Sequence, residues 1–445
     1  MASSSIQQTL TVLEHSHISP PPGSVPTTSI PFTFFDILWL FYGPVKRLFF
    51  YSFPHSTSHF IKHQLPILKT SLSLTLQSFF PLSGQFRRSP ISEDEFELYY
   101  SDGDSVSLLV TESDGDFQAL YGNQARSFKT LLALAPDLKL ISDETGPLMA
   151  IQVTVFPNQG LCFGVTINHV ACDGTTSMNF MKSWAATCRA GGTAPVVSIP
   201  PVYDRSMIVD PKNLGPLFYQ TIMALKAAAP ETPVNSDEDD DLVCETFTLG
   251  RDHVEKLKQT MGFRSSTFVV ACAHAWTSLV RSRGWARERT AHAAFAVDCR
   301  RRLEPQIPAG YFGNCVGVCF AEANAGEVAG EGGVRVAGEA LAKAVEGLGG
   351  GVLREAEEWL EKLVEVVAQR PLSVAGSPKF RVYETDFGWG SPEKVEVVSI
   401  NENGAISMAE SGEEGGIEIG LVLKKGEMDR FRLAFNAGLE LPSDN

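Results

Sequence analysis

Residues 161–184 read LCFGVTINHVACDGTTSMNFMKSW. Leu161, Phe163, Val165 and Ile167 alternate with Cys162, Gly164, Thr166 and Asn168, the period-two pattern of a strand with one strongly apolar face. Asn168, His169 and Asp173-Gly174 then break the alternation. Beyond them Met178, Met181, Trp184, Ala185 and Cys188 recur at three- and four-residue spacing, as on one buried helical face. His169 therefore falls where a strand turns toward a helix, a place that holds an imidazole rigidly while leaving one nitrogen open to a substrate. Of the nine histidines only His169 is followed by Asp at the fourth position. Met149, Ile151, Val153 and Val155 form a second alternating strand, and the turn Pro157 to Gly160 joins the two as a hairpin.

Working outward, 445 residues exceed one ordinary core, so two domains of roughly 200 residues each are expected. Hydrophobic residues at 44% and charged residues at 20% are globular values. The net charge of −15 argues against broad nucleic-acid or acidic-membrane binding, which needs a basic face. The eight cysteines lie mostly in apolar runs without paired spacing, which predicts free, buried thiols. No basic region followed by an apolar core opens the chain, and Pro31 to Val45 is too short to span a bilayer. A cytoplasmic protein without membrane or nucleic-acid partners is expected.

In chain order, the aromatic-rich Phe32 to Tyr42 reads as core packing. Leu65, Leu68, Leu72, Leu76 and Phe79 predict a helix that Pro81 stops. After Gly191 the texture becomes Pro-rich, with a short helical piece near 217–229 and the acidic run Ser236 to Asp241, a solvated linker. The expected division is an N-terminal domain over 1–195, a crossover linker over 196–243 and a C-terminal domain over 244–445. In the second half, Ser266 to Arg281 predicts a helix, and Ala293 to Val297 a buried strand ending in Asp298-Cys299-Arg300. Gly326 to Gly333 reads as a loop and Arg381 to Tyr383 as a short strand. Mixed elements in both halves, without a Gly-rich nucleotide fingerprint, indicate two α/β sandwich-like domains with a cleft between them as the default substrate site.

NHVACDG at 168–174 and DFGWG at 386–390 occur together in one chain. With TSIPFTFFDILWL at 28–40, VDCRRRLEPQIPAGYFGNC at 297–315 and IEIGLVLKKGEMDRF at 417–431, they make the sequence resemble the plant BAHD acyltransferases. These are acyl-CoA-dependent enzymes with a fold similar to chloramphenicol acetyltransferase. The opening segment and YFGNC look most like the branch that acylates sugar hydroxyls of anthocyanins and other phenolic glucosides. The resemblance implies an α/β fold with two chloramphenicol acetyltransferase-like domains and a channel between them. His169 is then the general base, activating a sugar hydroxyl against the thioester of acyl-CoA. No permanently bound cofactor and no metal are implied; acyl-CoA is the co-substrate, the acceptor is a phenolic glucoside, and the enzyme is a monomer.

The same resemblance gives Asp173, Arg300, Asp386, Gly388, Trp389 and Gly390 supporting roles, with Asp173 paired to Arg300. It places coenzyme A phosphates near Lys394 and the helix start Ser265-Ser266-Thr267, and makes Asn314 a contact to the oxyanion or acceptor. Two departures bear on the donor. Only Lys394 follows DFGWG as a cation, and Thr175 stands after the DG. With no Arg or Lys in the His169 loop to pair a malonyl carboxylate, hydroxycinnamoyl donors are slightly favoured over malonyl. The alternative function is a non-catalytic binding or interaction protein on the same fold.

Overall fold

The Met149–Phe156 and Gly160–Ile167 strands form an antiparallel hairpin with Ile167 opposite Met149, in a computed structural model that describes residues 9–92, 94–142, 144–228, 241–400 and 404–439. The hairpin sits inside a six-stranded sheet ordered Leu10–Ile18, Val106–Ser113, Met149–Phe156, Gly160–Ile167, Val45–Ser52 and Lys394–Val397. A seven-stranded sheet follows the order Val316–Asn324, Thr290–Asp298, Leu372–Ala375, Ala405–Glu410, Ile417–Lys424, Leu242–Leu249 and Arg126–Ser127. A small four-stranded sheet built on Phe96–Tyr100 lies in the N-terminal half.

All eight residues of Gly160–Ile167 are buried, so the alternation in its sequence separates two interiors. On the odd face Phe163 packs against Trp184 of the Gly174–Arg189 helix, ring centroids 5.8 Å apart, and Trp184 donates from Nε1 to Ser71 of the Leu65–Ser78 helix. On the even face space is scarce. A Cβ at Gly164 would stand 2.0 Å from the Leu134 carbonyl oxygen, and Thr166 donates its hydroxyl to Pro136 O at 2.5 Å. A side chain as large as Trp184, fully buried here, costs about 3–5 kcal/mol when truncated, so this strand is held stiffly at both faces.

The expected boundary at 196–243 is crossed twice. Lys394–Val397 from the second half closes the first sheet against Val45–Ser52, and Arg126–Ser127 from the first half extends the second sheet against Leu242–Leu249. Within the crossover the chain forms a helix over Leu214–Ala228. Most of the acidic run, Ser236 to Asp240, lies outside the described residues. The second core packs the Thr267–Arg283, Gly333–Gly347 and Lys425–Ala437 helices together.

Two local expectations fail. Arg381 to Tyr383 is two tight turns, Pro378–Phe380 and Val382–Glu384, because Pro378 cannot extend a ladder and Arg381 takes φ 51°. Gly326 to Gly333 is largely helical: Asn324 caps Ala325–Ala329 by accepting from Glu327 N at 3.1 Å, and the next helix begins at Gly333. Burial of Val328 outweighs the weak helix propensity of the glycines.

Candidate active site

His169 lies two residues past Ile167, the last residue of the buried strand, in the turn that precedes the Gly174–Arg189 helix. Its ring stacks on the Trp39 indole with centroids 3.6 Å apart and planes 9° from parallel, and Tyr42 meets it edge-on at 6.0 Å. Tyr42 is 59% exposed, so one flank of the imidazole borders solvent. Nδ1 is buried without a hydrogen-bond partner among the described residues. Burial pushes the His169 pKa down to about 4, against the opposing pull of its own backbone carbonyl and of Asp173. The ring is therefore neutral at physiological pH, the protonation state a base requires.

Asp173 turns away from the ring. It caps the helix by accepting from Thr176 N at 3.1 Å, and its two oxygens take Arg300 Nη1 at 2.7 Å and Nη2 at 3.2 Å. Both side chains are nearly sealed, 3% and 2% exposed, where a bidentate pair is the form of charge burial that holds. The YFGNC segment grips the same turn. Cys315 N donates to Asp173, Asp173 N donates to Gly313 O, and the Thr176 hydroxyl donates to the Tyr311 and Gly313 carbonyls. Gly313 has φ 135°, and a Cβ there would meet Arg205 at 2.1 Å, so only glycine fits.

The side-chain amide hydrogens of Asn314, expected to contact the oxyanion or acceptor, are already engaged. Its Nδ2 donates to His169 O at 2.9 Å and to Asp36 Oδ1 at 3.0 Å, which uses both amide hydrogens, and Oδ1 can only accept. It ties the carbonyl of His169 to a wholly buried carboxylate. Asp36 in turn accepts from Thr33 N at 2.8 Å and Asn314 N at 3.1 Å.

DFGWG braces the far side of the strand. Asp386 Oδ1 accepts from Gly388 N at 2.7 Å and Gly390 N at 2.9 Å, and Oδ2 takes Arg189 at 3.2 Å. Burial alone would raise this carboxyl, yet those donors hold it below the usual range. Gly388 and Gly390 adopt φ 110° and 98°, angles that favour glycine and turn both their N–H groups to one carboxylate. The turn presses Phe387 onto Phe163, stacked at 4.9 Å, and Trp389 against Tyr51 and Phe53. The two motifs thus grip one strand, from its end and from its face.

The Transferase family model matches residues 9–437. A malonyl-coenzyme A:anthocyanin 3-O-glucoside-6''-O-malonyltransferase of Dahlia pinnata is 36% identical over 97% of this chain and 98% of its own. Phenolic glucoside malonyltransferase 2 of Arabidopsis thaliana is 38% identical over 97% and 99%, and an Arabidopsis coumaroyl-CoA:anthocyanidin 3-O-glucoside-6''-O-coumaroyltransferase is 35% identical over 96% and 97%. The chain belongs to the BAHD acyltransferase family. Among solved structures, vinorine synthase superposes with a TM-score of 0.73 at 19% identity over 96% of this chain and 98% of its own. The F. graminearum TRI101 protein, complexed with coenzyme A and T-2 mycotoxin, gives 0.67 at 15% over 91% and 97%. These establish the two-domain α/β fold, and membership makes the protein an acyltransferase with acyl-CoA as co-substrate.

Of the coenzyme A contacts expected of this acyltransferase, Lys394 is arranged otherwise. Lys394 is 2% exposed, pointing inward from the strand that closes the first sheet. Its Nζ donates to Asn123 at 2.7 Å and Glu418 at 2.9 Å, so it is spent on a buried network and cannot reach a phosphate. Ser266 caps the Thr267–Arg283 helix by accepting from Val269 N at 3.2 Å, Thr267 begins that helix, and Ser265 Oγ is buried without a partner among the described residues. Among the described residues no group of His, Cys, Asp or Glu is arranged to hold a metal, and no helix is long and apolar enough to cross a membrane. A groove beside the Val316–Asn324 edge strand, lined by Lys343, Arg354, Trp359 and Lys362, includes none of the site residues.

The residues missed by sequence reasoning are Asp36, Trp39 and Tyr42, set aside as core. A signal existed: Thr33 and Asp36 form a capping box, and T-x-x-D before an apolar run marks a helix start with a committed carboxylate.

Proposed function

We propose that this acyltransferase moves an acyl group, hydroxycinnamoyl or malonyl, from coenzyme A to a sugar hydroxyl of a phenolic glucoside such as an anthocyanin or flavonoid glucoside. The observation that carries the reading is the neutral His169 imidazole, clamped between Trp39 and the Asn314 tether with one flank beside exposed Tyr42. The glucoside acceptor is supported by the activities for which the relatives are named. With Nδ1 sealed, Nε2 takes the hydroxyl proton as the oxygen attacks the thioester carbonyl. The tetrahedral oxyanion collapses, the C–S bond breaks, and the thiolate leaves with the proton that His169 carried, giving free coenzyme A and the ester.

Transfer is direct. Burial raises the thiol of Cys172, the cysteine nearest His169 in sequence, far above its ordinary range, and all eight cysteines are buried, so none offers a thiolate for an acyl-enzyme. The units 1–195 and 244–445 flank the substrate channel, with 196–243 crossing between them. Asp173 and Arg300 join them at His169, where the ends of both sheets meet. The test is thiol release from malonyl-CoA and coumaroyl-CoA with phenolic glucosides and their aglycones. Release that requires the glucoside is expected; binding without release across the panel would make the chain a binding protein.

A further inference from the structure

We propose that Arg47 is the receptor for a carboxylate at the end of a short acyl chain, so that the enzyme selects malonyl-type donors. The proposal rests on the acyl-CoA-dependent reading above and assigns the donor class within it. Arg47 lies in the Val45–Ser52 strand, between Val165 of the His169 strand and Val397. Phe49 and Tyr51, two and four positions on, face the core that holds Phe163 and Val165, so Arg47 projects to that same face. It reaches the helix capped by Asp173, where Nη1 sits 3.0 Å from Met178 Sδ.

That thioether is a weak acceptor and the only hydrogen-bond partner of Arg47 among the described residues. The side chain is nevertheless buried, with the residue 7% exposed. Other buried arginines are matched: Arg126 by Glu396 at 2.7 Å, Arg283 by Glu427 at 2.9 Å and Arg300 by Asp173 at 2.7 Å. Among the described residues Arg47 has no carboxylate within ion-pair reach. The acid whose charge it feels, Glu410, accepts from Tyr383 N at 3.0 Å, and burial raises that carboxyl toward its neutral form. Burial pushes Arg47 down to about 10, which still leaves it cationic at neutral pH.

An uncompensated buried cation is expensive, and its cost is relieved when an anion arrives. A guanidinium presents two parallel donors to one planar carboxylate. The terminal carboxylate of a malonyl group offers this guanidinium the anion it lacks, while a coumaroyl group has only an apolar ring and a phenol to offer. The cation missing from the His169 loop is thus supplied by another strand.

The experiment compares kcat/KM for malonyl-CoA and coumaroyl-CoA with one glucoside acceptor in wild type, Arg47→Met and Arg47→Lys. Wild type is expected to prefer malonyl-CoA. Arg47→Met should lower the malonyl-to-coumaroyl ratio about a hundredfold, the scale of losing a bidentate charged pair, and Arg47→Lys should fall between. Because both donors carry the same coenzyme A phosphates, an equal loss on both would make Arg47 a phosphate or structural residue and overturn the proposal. A wild type that uses only coumaroyl-CoA would overturn it while leaving the acyltransferase reading intact. A wild type that uses neither would refute both. Should Arg47→Met fail to fold, an unchanged ratio in Arg47→Lys would be the overturning result.

Discussion

Replacing Asp173 by Ala separates a residue that holds the site from one that does its chemistry. The substitution strands Arg300, whose side chain is 3% exposed, and breaking a buried pair from one side costs about 3–5 kcal/mol. Loss of the helix cap to Thr176 N adds about 1 kcal/mol. Asp298 remains 3.3 Å from Arg300 but is 54% exposed, so it compensates only in part. The expected loss is about 4–5 kcal/mol, a large share of the 5–15 kcal/mol typical of a domain. Urea denaturation with parallel thiol-release rates measures it. Asp173→Asn keeps a cap acceptor but no charge, and should lose about 3 kcal/mol together with activity. Adding Arg300→Met to Asp173→Ala removes the stranded cation and should restore about 2 kcal/mol. An inactive Asp173→Asn of undiminished stability would refute this reasoning and put the carboxylate into the reaction, as would a double variant no more stable than the single one.

His169→Ala should cut turnover about a hundred- to ten-thousand-fold with folding retained; more than about a tenth of the wild-type rate surviving would remove His169 from the role of base. Only the neutral ring accepts a proton, and burial holds its pKa near about 4, so kcat/KM should persist below pH 6 and fall only as pH approaches about 4; an acid limb near pH 6.5 would contradict the burial argument. His274 is buried in the second core with neither ring nitrogen partnered among the described residues, and burial also pushes its pKa down to about 4. The unfolded chain takes up this proton from about pH 6.5 downward while the folded chain resists until about pH 4, so stability is full above pH 6.5 and declines below it, by about 2 kcal/mol at pH 5. His274→Leu should flatten that slope in urea midpoints measured at pH 7 and pH 5. Lys394→Met removes the cation paired with Glu418 and leaves Glu396 to Arg126, and should lower the melting temperature while KM for acyl-CoA stays unchanged; a raised KM with intact stability would return Lys394 to the coenzyme A site.

The strand, turn and helix around His169 were legible in the sequence because each is a local pattern: period two through Ile167, a break at Asn168, then three- and four-residue spacing through Cys188. The family was legible for the same reason, since NHVACDG and DFGWG are contiguous strings that survive without knowledge of their neighbours. What each charged or amide group is free to do was decided only by the tertiary structure. Lys394 follows DFGWG and reads as an available cation, yet its strand closes a sheet covered on both faces, which turns the amine onto Asn123 and Glu418. Asn314 reads as a donor in the site, yet Asp36 and the His169 carbonyl consume its hydrogens. Arg47 reads as one basic residue beside Lys46, but Lys46 pairs with Asp137 while Arg47 is left buried with no carboxylate partner among the described residues. Availability depends on what fills the few ångströms around a group, and here those neighbours come from distant segments that no local pattern connects.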